Sequence, residues 1–159
     1  MFDLSSYARP MLYKKHIIKY VIWELTSFFY FNTPIPGSNL RSIALKFFGA
    51  SIGSGVVIKP NVKIKYPWNL SVGNFSWIGE YVWIDNIAKV SIGSNTCVSQ
   101  GVYICSASHD LKKSNFELLL QPVQIGSNCW IAAKCIIGPN VIIKDSTFVK
   151  MGEKITSKF

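Results

Sequence analysis

The sequence predicts an all-β protein built as a parallel β-helix, preceded by an N-terminal segment that is helical or irregular. Two observations support this fold class. Aliphatic residues return at every sixth position through most of the chain, and the position four after each of them is usually small or branched. A period of six fits neither an α-helix, whose apolar stripe repeats near 3.6 residues, nor a plain alternating strand. It is typical of a β-helix in which each six-residue rung supplies one flat face and one corner, so that three rungs complete one coil.

The aliphatic positions define the predicted core. They are Ile52, Ile58, Ile64, Val72, Ile78, Ile84, Ile92, Val98, Ile104, Ile125, Ile131, Ile137, Ile143, Val149 and Ile155. The second inward positions are Val56, Val62, Ser76, Val82, Ala88, Thr96, Val102, Cys129, Cys135, Val141 and Thr147. A narrow core leaves little room beside a corner, which explains their limited size. Glycine often follows the aliphatic residue, as at Gly73 and Gly93, and we expect some of the corner residues to take positive φ.

The repeat is interrupted only after the third rung of a coil. The step between aliphatic positions widens to eight residues after Ile64 and again after Ile84, and to 21 residues between Ile104 and Ile125. The extra residues therefore collect at one corner of the predicted prism, and residues 105–124 are expected to form an extruded loop. A loop of this length within a compact repeat is usually functional or disordered.

Residues 1–50 precede the repeats and form the predicted N-terminal cap segment, which leaves 51–159 as the β-helix domain. The run from Ile17 to Phe31 is strongly apolar, but it contains Lys19 and Glu24 and is shorter than the roughly 20 residues with which a helix crosses a bilayer. It also lacks a small-residue cleavage site, so neither a secretory signal nor a spanning helix is predicted. Two interpretations remain open: a helix that caps the first coil, or an aromatic and basic patch resting on an anionic membrane surface.

Composition and charge restrict the partners that the sequence predicts. The 159 residues are 49% hydrophobic, and 17 basic against 8 acidic residues give a net charge of +9. The lysines are scattered without a recognition motif, so nucleic acid is not a predicted partner. A phosphate-rich cofactor, an anionic membrane or plain solubility would each account for the charge.

The cysteines indicate the location of the protein. The four cysteines lack metal-like CxxC spacing, and nothing indicates disulfides, which favours a cytoplasmic location. If the N-terminal segment contacts lipid, the protein would lie at the inner face of the membrane.

His109 is the candidate catalytic residue. It lies at the root of the only large insertion, and the one other histidine, His16, is far away in the N-terminal segment. A lone loop histidine is usually a solvated surface group. Its place at the insertion, followed by the aromatic Trp130 near the start of the next coil, favours a catalytic role instead.

Taken together, these features resemble the hexapeptide-repeat acyltransferases, and within them the colanic acid biosynthesis acetyltransferases of bacterial polysaccharide clusters. The resemblance runs from about Thr33 to Thr156. Its motifs are Leu45–Gly53, Tyr66–Trp68, Trp77–Glu80, Ser108–Asp110 and Cys129–Ala133. It implies a left-handed β-helix, a homotrimer, and acetyl-CoA bound between neighbouring subunits. The period alone does not give the handedness, because crossover connections are otherwise overwhelmingly right-handed.

The resemblance also implies a role for individual residues. The cofactor-binding residues it suggests are Trp130, Ala132, Ala133, Met151, Thr156 and Lys158. Trp130 matches the tryptophan that packs beside the thiol arm of the cofactor, and the two alanines match small residues lining that arm. The lysine that follows the threonine in relatives is displaced here to Lys158. Glu80 falls where related sugar acetyltransferases place an acceptor-binding residue, and Asp85 is a second candidate, although either could equally be a solvated corner residue.

These assignments predict an O-acetyltransferase that moves acetyl from acetyl-CoA to a saccharide hydroxyl, on a polysaccharide or a lipid-linked sugar precursor. An imidazole, with a pKa near 6.5, is suited to remove the hydroxyl proton at neutral pH, and a backbone N–H near the Trp130–Ala133 turn would stabilise the oxyanion. No activated nucleophile is evident, so direct transfer is favoured.

Two alternatives are a catalytically degenerate scaffold and an acetyltransferase for an amino sugar or antibiotic. Another enzyme class on this scaffold, the γ-type carbonic anhydrases, needs three histidines to hold zinc. This chain has only two histidines, and no metal is predicted.

Overall fold

The computed structural model describes residues 3–7, 16–34 and 37–157. A 3-10 turn at Leu4–Ser6 is followed by helices α1 (Ile17–Tyr30) and α2 (Ser38–Phe47). The first two coils contain β1 (Ser51–Ile52), β2 (Val57–Ile58), β3 (Lys63–Ile64), β4 (Leu70–Val72), β5 (Trp77–Ile78) and β6 (Trp83–Asp85). The third coil and the insertion contain β7 (Val90–Ile92), β8 (Cys97–Val98), β9 (Tyr103–Cys105), β10 (Ala107–His109) and β11 (Leu118–Leu120). The last two coils contain β12 (Val123–Ile125), β13 (Trp130–Ile131), β14 (Ile136–Ile137), β15 (Ile142–Ile143), β16 (Phe148–Val149) and β17 (Lys154–Ile155).

Three parallel sheets form the faces of a triangular prism. Face A contains β1, β4, β7, β12 and β15; face B contains β2, β5, β8, β13 and β16; face C contains β3, β6, β9, β14 and β17. The register is constant, since Ile58 pairs with Ile78, Ile78 with Val98, and Val98 with Ile131. The predicted fold class, a left-handed parallel β-helix preceded by a helical segment, is confirmed.

The predicted aliphatic positions form the core. Ile58, Ile78 and Val98 are at most 2% exposed, and the other inward positions are buried except at the last coil, where Ile155 is partly covered. Polar atoms at the second inward positions have partners, as buried polar groups require. The Cys135 thiol, for example, donates to a carbonyl one coil further on, 3.0 Å away.

The glycines at the corners allow the coils to approach each other closely. Some corner residues take positive φ as predicted, but they are not Gly73 and Gly93: φ is positive two residues later, at Phe75 and Asn95. A Cβ atom on Gly73 would instead lie 2.5 Å from the backbone nitrogen of Ser94 in the next coil. The glycine is therefore required because stacked coils leave no space for a side chain there.

The N-terminal helices cover the open end of the first coil. Trp23 of α1 donates its Nε1–H to the carbonyl oxygen of Ile64 at 2.8 Å. The N–H of Ile58 donates to the Ser38 hydroxyl at 2.8 Å, and its carbonyl accepts from Arg41 at 3.4 Å. Helix side chains thus satisfy strand groups at an edge that would otherwise be unpaired. Within the described residues, no helix is long and apolar enough to cross a membrane.

The large insertion leaves the prism at the corner between faces C and A. Cys105 ends β9 and Val123 begins β12, and between them β10 and β11 form an antiparallel hairpin. At its root, the buried Ser106 hydroxyl accepts from the N–H of Ala88 at 2.9 Å and donates to its carbonyl oxygen at 3.0 Å. The root of the hairpin is therefore fixed to the preceding coil, and His109 is the last residue of β10.

Candidate active site

The hairpin holds the imidazole of His109 in a defined orientation. Its Nδ1 atom lies 2.8 Å from the carbonyl oxygen of Phe116, and the two rings stack with centroids 4.1 Å apart. The ring of Tyr7 meets the imidazole edge-on at 5.7 Å. Because a carbonyl oxygen only accepts, Nδ1 carries the proton in the neutral imidazole and Nε2 presents its lone pair. This is the tautomer that a general base acting through Nε2 requires.

Local hydrogen bonds in the hairpin turn set this geometry. The N–H of Lys112 donates to the Asp110 carboxylate at 2.8 Å, and the Asp110 N–H donates to the carbonyl of Glu117 at 2.9 Å. Lys113 forms an ion pair with Glu117. Phe116 has a φ of 50°, a conformation that costs free energy for a non-glycine residue and that occurs often at functional sites.

The N-terminal residues pack against the same hairpin. The N–H of Asp3 donates to the carbonyl oxygen of Ser114 at 2.7 Å, and the Ser6 hydroxyl lies 3.3 Å from that oxygen. Tyr7 is thereby placed beside the imidazole. Neither Tyr7 nor Phe116 is predictable from the sequence, because no repeat or spacing connects them to His109.

The predicted acceptor residue Asp85 lies at the end of β6 and is engaged within the chain. Its carboxylate is 3.0 Å from the ammonium group of Lys65 and accepts from the Tyr103 hydroxyl at 3.3 Å. Burial, with the neighbouring Cys105 and Asp85, holds the pKa of Tyr103 above its ordinary value, so this hydroxyl remains a donor.

A groove of about 400 Å³ lies on the outer surface of face B. Trp77, Cys97 and Trp130 occupy one outward column on β5, β8 and β13. The small cysteine between two half-exposed indoles leaves a depression, and Glu80 and Ser99 line it. Trp130 donates its Nε1–H to the Ser99 hydroxyl at 2.9 Å, which fixes the indole at the edge of the groove. Trp77 and Cys97 could have been predicted from the sequence as neighbours of Trp130, because they occupy the equivalent position in rungs that stack on each other.

Three other predicted cofactor residues, Ala132, Ala133 and Met151, lie beyond this groove, between the end of β13 and the corner of faces B and C. Ala132 and Ala133 are buried and lead from β13 into the corner between faces B and C. The carbonyl of Ala133 accepts from the N–H of Gly152 at 3.0 Å, and the exposed Met151 lies beside that contact, one coil further on.

The structure divides the predicted site residues between two sides of the β-helix. Glu80, Trp130, Ala132, Ala133 and Met151 lie on face B or at the B–C corner, whereas Asp85, His109 and Thr156 lie towards the C–A corner. The C–A corner of a triangular prism is opposite face B, so one chain does not bring His109 and Trp130 together. Lys158 lies outside the described residues. Among the residues described, no three His, Cys, Asp or Glu side chains gather as a metal site would need.

Comparison with known proteins finds relatives over most of the chain. It is 36% identical over 153 residues to the Escherichia coli K12 protein named "Putative colanic acid biosynthesis acetyltransferase WcaF", covering 94% of this chain and 83% of that protein. The fold is similar to that of a maltose O-acetyltransferase from Clostridium difficile 630, with a TM-score of 0.78, 26% identity, and coverage of 94% and 80% of the two chains. A Vibrio cholerae hexapeptide-repeat acetyltransferase complexed with acetyl-CoA gives a TM-score of 0.81 at 16% identity, with coverage of 96% and 84%. No family model matches the sequence.

Proposed function

The chain belongs to the hexapeptide-repeat acetyltransferases, and we propose that it transfers acetyl from acetyl-CoA to a hydroxyl of a saccharide, as part of a polysaccharide or a lipid-linked sugar precursor. The observation that carries this proposal is the Nδ1 contact of His109 with the Phe116 carbonyl, which leaves Nε2 to accept a proton. The names of the relatives support a sugar acceptor, since they include a maltose O-acetyltransferase and a colanic acid biosynthesis acetyltransferase. The free thiols among the described residues fit a reducing cytoplasm.

The acting unit in this proposal is a homotrimer. A general base must come within about 3 Å of the proton that it removes, but His109 and the face B groove lie on opposite sides of one chain. A neighbouring copy whose C–A corner faces this groove would supply the imidazole. Three such contacts related by rotation close a ring, as cyclic symmetry allows.

The cofactor would lie along face B and the B–C corner. The exposed indole of Trp130 offers an apolar wall for the thiol arm, and the small side chains of Ala132 and Ala133 leave room for a narrow chain. Met151 extends this apolar surface one coil further. Thr156 lies towards the C–A corner, so it would contact the cofactor held on face B of a neighbouring copy. Lys158 is proposed from the resemblance alone.

His109 would remove the proton from the acceptor hydroxyl as its oxygen attacks the thioester carbonyl. The oxyanion needs a fixed donor. The N–H groups of Trp130 and Ala132 already donate to carbonyls of the next coil, at 2.9 and 3.0 Å, which leaves the N–H of Ala133 as the donor that we propose. When the carbon–sulfur bond breaks, the imidazolium returns the proton to the leaving thiolate.

The acceptor would occupy the groove on face B. The exposed ring of Trp77 can stack on the apolar face of a pyranose, and the carboxylate of Glu80 can accept from sugar hydroxyls. Asp85 is the second candidate. Its carboxylate would have to exchange Lys65 or Tyr103 for a sugar hydroxyl, so we favour Glu80.

The first test is acetyl transfer from acetyl-CoA to a panel of mono- and oligosaccharides, monitored by the release of free coenzyme A thiol. Coenzyme A binding is measured by calorimetry on the same protein. We expect binding and turnover with at least one saccharide. If the protein binds coenzyme A and acetylates amino sugars or antibiotics but no saccharide hydroxyl, the proposed acceptor class is wrong. Absence of both binding and turnover would favour the degenerate scaffold.

A further inference from the structure

The apolar stripe of α1 points away from the protein. Its members are Ile17, Ile18, Val21, Ile22, Leu25, Phe28 and Phe29, and their exposed fractions range from 49% to 74%. Their spacing places them on one side of the helix. The opposite side, with the buried Trp23 and Ser27, faces the β-helix. An ordinary surface helix buries its apolar stripe, so this orientation is reversed.

Helix α2 extends the same apolar surface. Leu40, Ile43 and Phe47 are more than half exposed, and Phe47 reaches 83%. A cavity of about 480 Å³ opens between the two helices, where Ile18 and Phe47 are among its lining residues. We call the seven residues of α1 and these three residues of α2 the cap surface. Apolar patches that continue across two elements mark interaction sites.

Positive charge is concentrated in the N-terminal part of the sequence. The first 64 residues contain eight basic and two acidic side chains, whereas the remaining 95 contain nine basic and six acidic ones. Lys14 and Lys15 directly precede α1 in the sequence, and Lys46 is exposed on α2. Lys19 of α1 instead places its ammonium group over the ring of Trp68, 5.0 Å from the centroid. A second copy of this chain would bring like charges together, whereas an anionic surface would complement them.

We propose that the cap surface docks on a bilayer containing anionic phospholipid. The apolar side chains of α1 and α2 enter the boundary between headgroups and acyl chains, while the lysines contact lipid phosphates. Helix α1 has 14 residues, so it lies in the plane of the interface. This docking does not depend on acetyl transfer, although it would bring the enzyme to a lipid-linked acceptor.

The test is flotation of the full chain with vesicles of phosphatidylcholine, alone or with added phosphatidylglycerol. We expect binding to the anionic vesicles, weakened by added salt because the lysine contacts are screened. The triple variant Ile18→Gln, Leu25→Gln, Phe29→Gln should bind the anionic vesicles at least about tenfold more weakly, since it removes three apolar side chains from the interface. Its matched control is Ile142→Gln, which alters a 68% exposed side chain on face A and should bind as the unmodified protein does.

A charge variant provides the second arm. Lys46→Gln should weaken binding to the anionic vesicles, whereas Lys144→Gln, at an exposed position of the fifth coil, should not. Absence of binding to both vesicle types, or equal binding by the triple variant and its control, would overturn the proposal. Light scattering tests the competing occupant: a smaller particle mass for the triple variant would show that a second copy covers the cap surface. Turnover of a soluble saccharide should be unchanged in all these variants, which separates this proposal from the proposed activity.

Discussion

The Nδ1 atom of His109 lies 2.8 Å from the carbonyl oxygen of Phe116, and the ring of Phe116 stacks on the imidazole at 4.1 Å. One residue therefore fixes both the tautomer and the plane of the proposed base. Its own φ of 50° shows that the hairpin holds this residue in an uncommon conformation. The orientation of the imidazole is part of the fold, before any substrate binds.

Replacement of His109 by alanine should lower kcat by roughly 10²–10⁴-fold, the usual contribution of positioned proton transfer. Affinity for coenzyme A, measured by calorimetry, should remain nearly unchanged because the imidazole acts on the acceptor. His16→Ala is the control and should leave kcat intact, since His16 packs against Trp68, between β3 and β4, with ring centroids 5.4 Å apart. Full activity of His109→Ala with a competent sugar would remove His109 as the base.

The pH dependence of kcat/KM should report the same group. Only the neutral imidazole has a lone pair at Nε2, so activity should be low in acid, rise with pH and then level off. The measurement is the initial rate at limiting acceptor concentration from acid to neutral pH. A flat profile through that range would contradict the assignment.

Trp130→Ala should weaken cofactor binding more than it slows chemistry. The change removes the indole wall on face B and its hydrogen bond to Ser99, but leaves the hairpin untouched. KM for acetyl-CoA should rise by about tenfold or more, the effect of losing a large apolar contact, with a smaller fall in kcat. Phe148→Ala, which removes the ring packed against Trp130, should have a weaker effect on the same KM. A fall in kcat at unchanged KM would argue against this role for Trp130.

Gly73→Ala tests the close approach of the coils. The added Cβ would lie 2.5 Å from the backbone nitrogen of Ser94, so the free energy of unfolding should fall by about 1–3 kcal/mol, as overpacking does. Gly152→Ala is the control, because nothing lies within 4 Å of its Cβ position, although its φ of 74° is positive. Denaturant unfolding at matched protein concentration should show the larger loss for Gly73→Ala. An unchanged free energy of unfolding in Gly73→Ala would contradict the requirement for space between the coils.

The sequence was sufficient to predict the fold and the position of the insertion that carries the candidate base. Inward residues such as Ile58 and Val98 repeat because every rung places the same position in the core, so their period predicts register directly. The insertion at the C–A corner is equally visible as a widened step. The contacts around His109 were not predictable. Phe116 reaches it through a hairpin whose turn has no repeat, and Tyr7 reaches it because the N-terminal residues pack on that hairpin.

The division of the site between two sides of the prism was also beyond the sequence-based predictions. The resemblance predicts a shared site between subunits, but only the assignment of strands to faces shows that His109 and Trp130 lie apart within one chain.

The most direct test of the shared site is complementation between two variants that each have low activity at low acetyl-CoA. His109→Ala and Trp130→Ala proteins are unfolded together, refolded as a mixture, and assayed at low acetyl-CoA, with each variant refolded alone as the control. If one copy provides the imidazole and its neighbour the indole, about a quarter of the sites in randomly mixed trimers will combine both intact residues. We predict that the mixture regains activity in about that proportion. Activity of the mixture no higher than the average of the two variants would show that His109 and Trp130 act within one chain, or that they do not share a site.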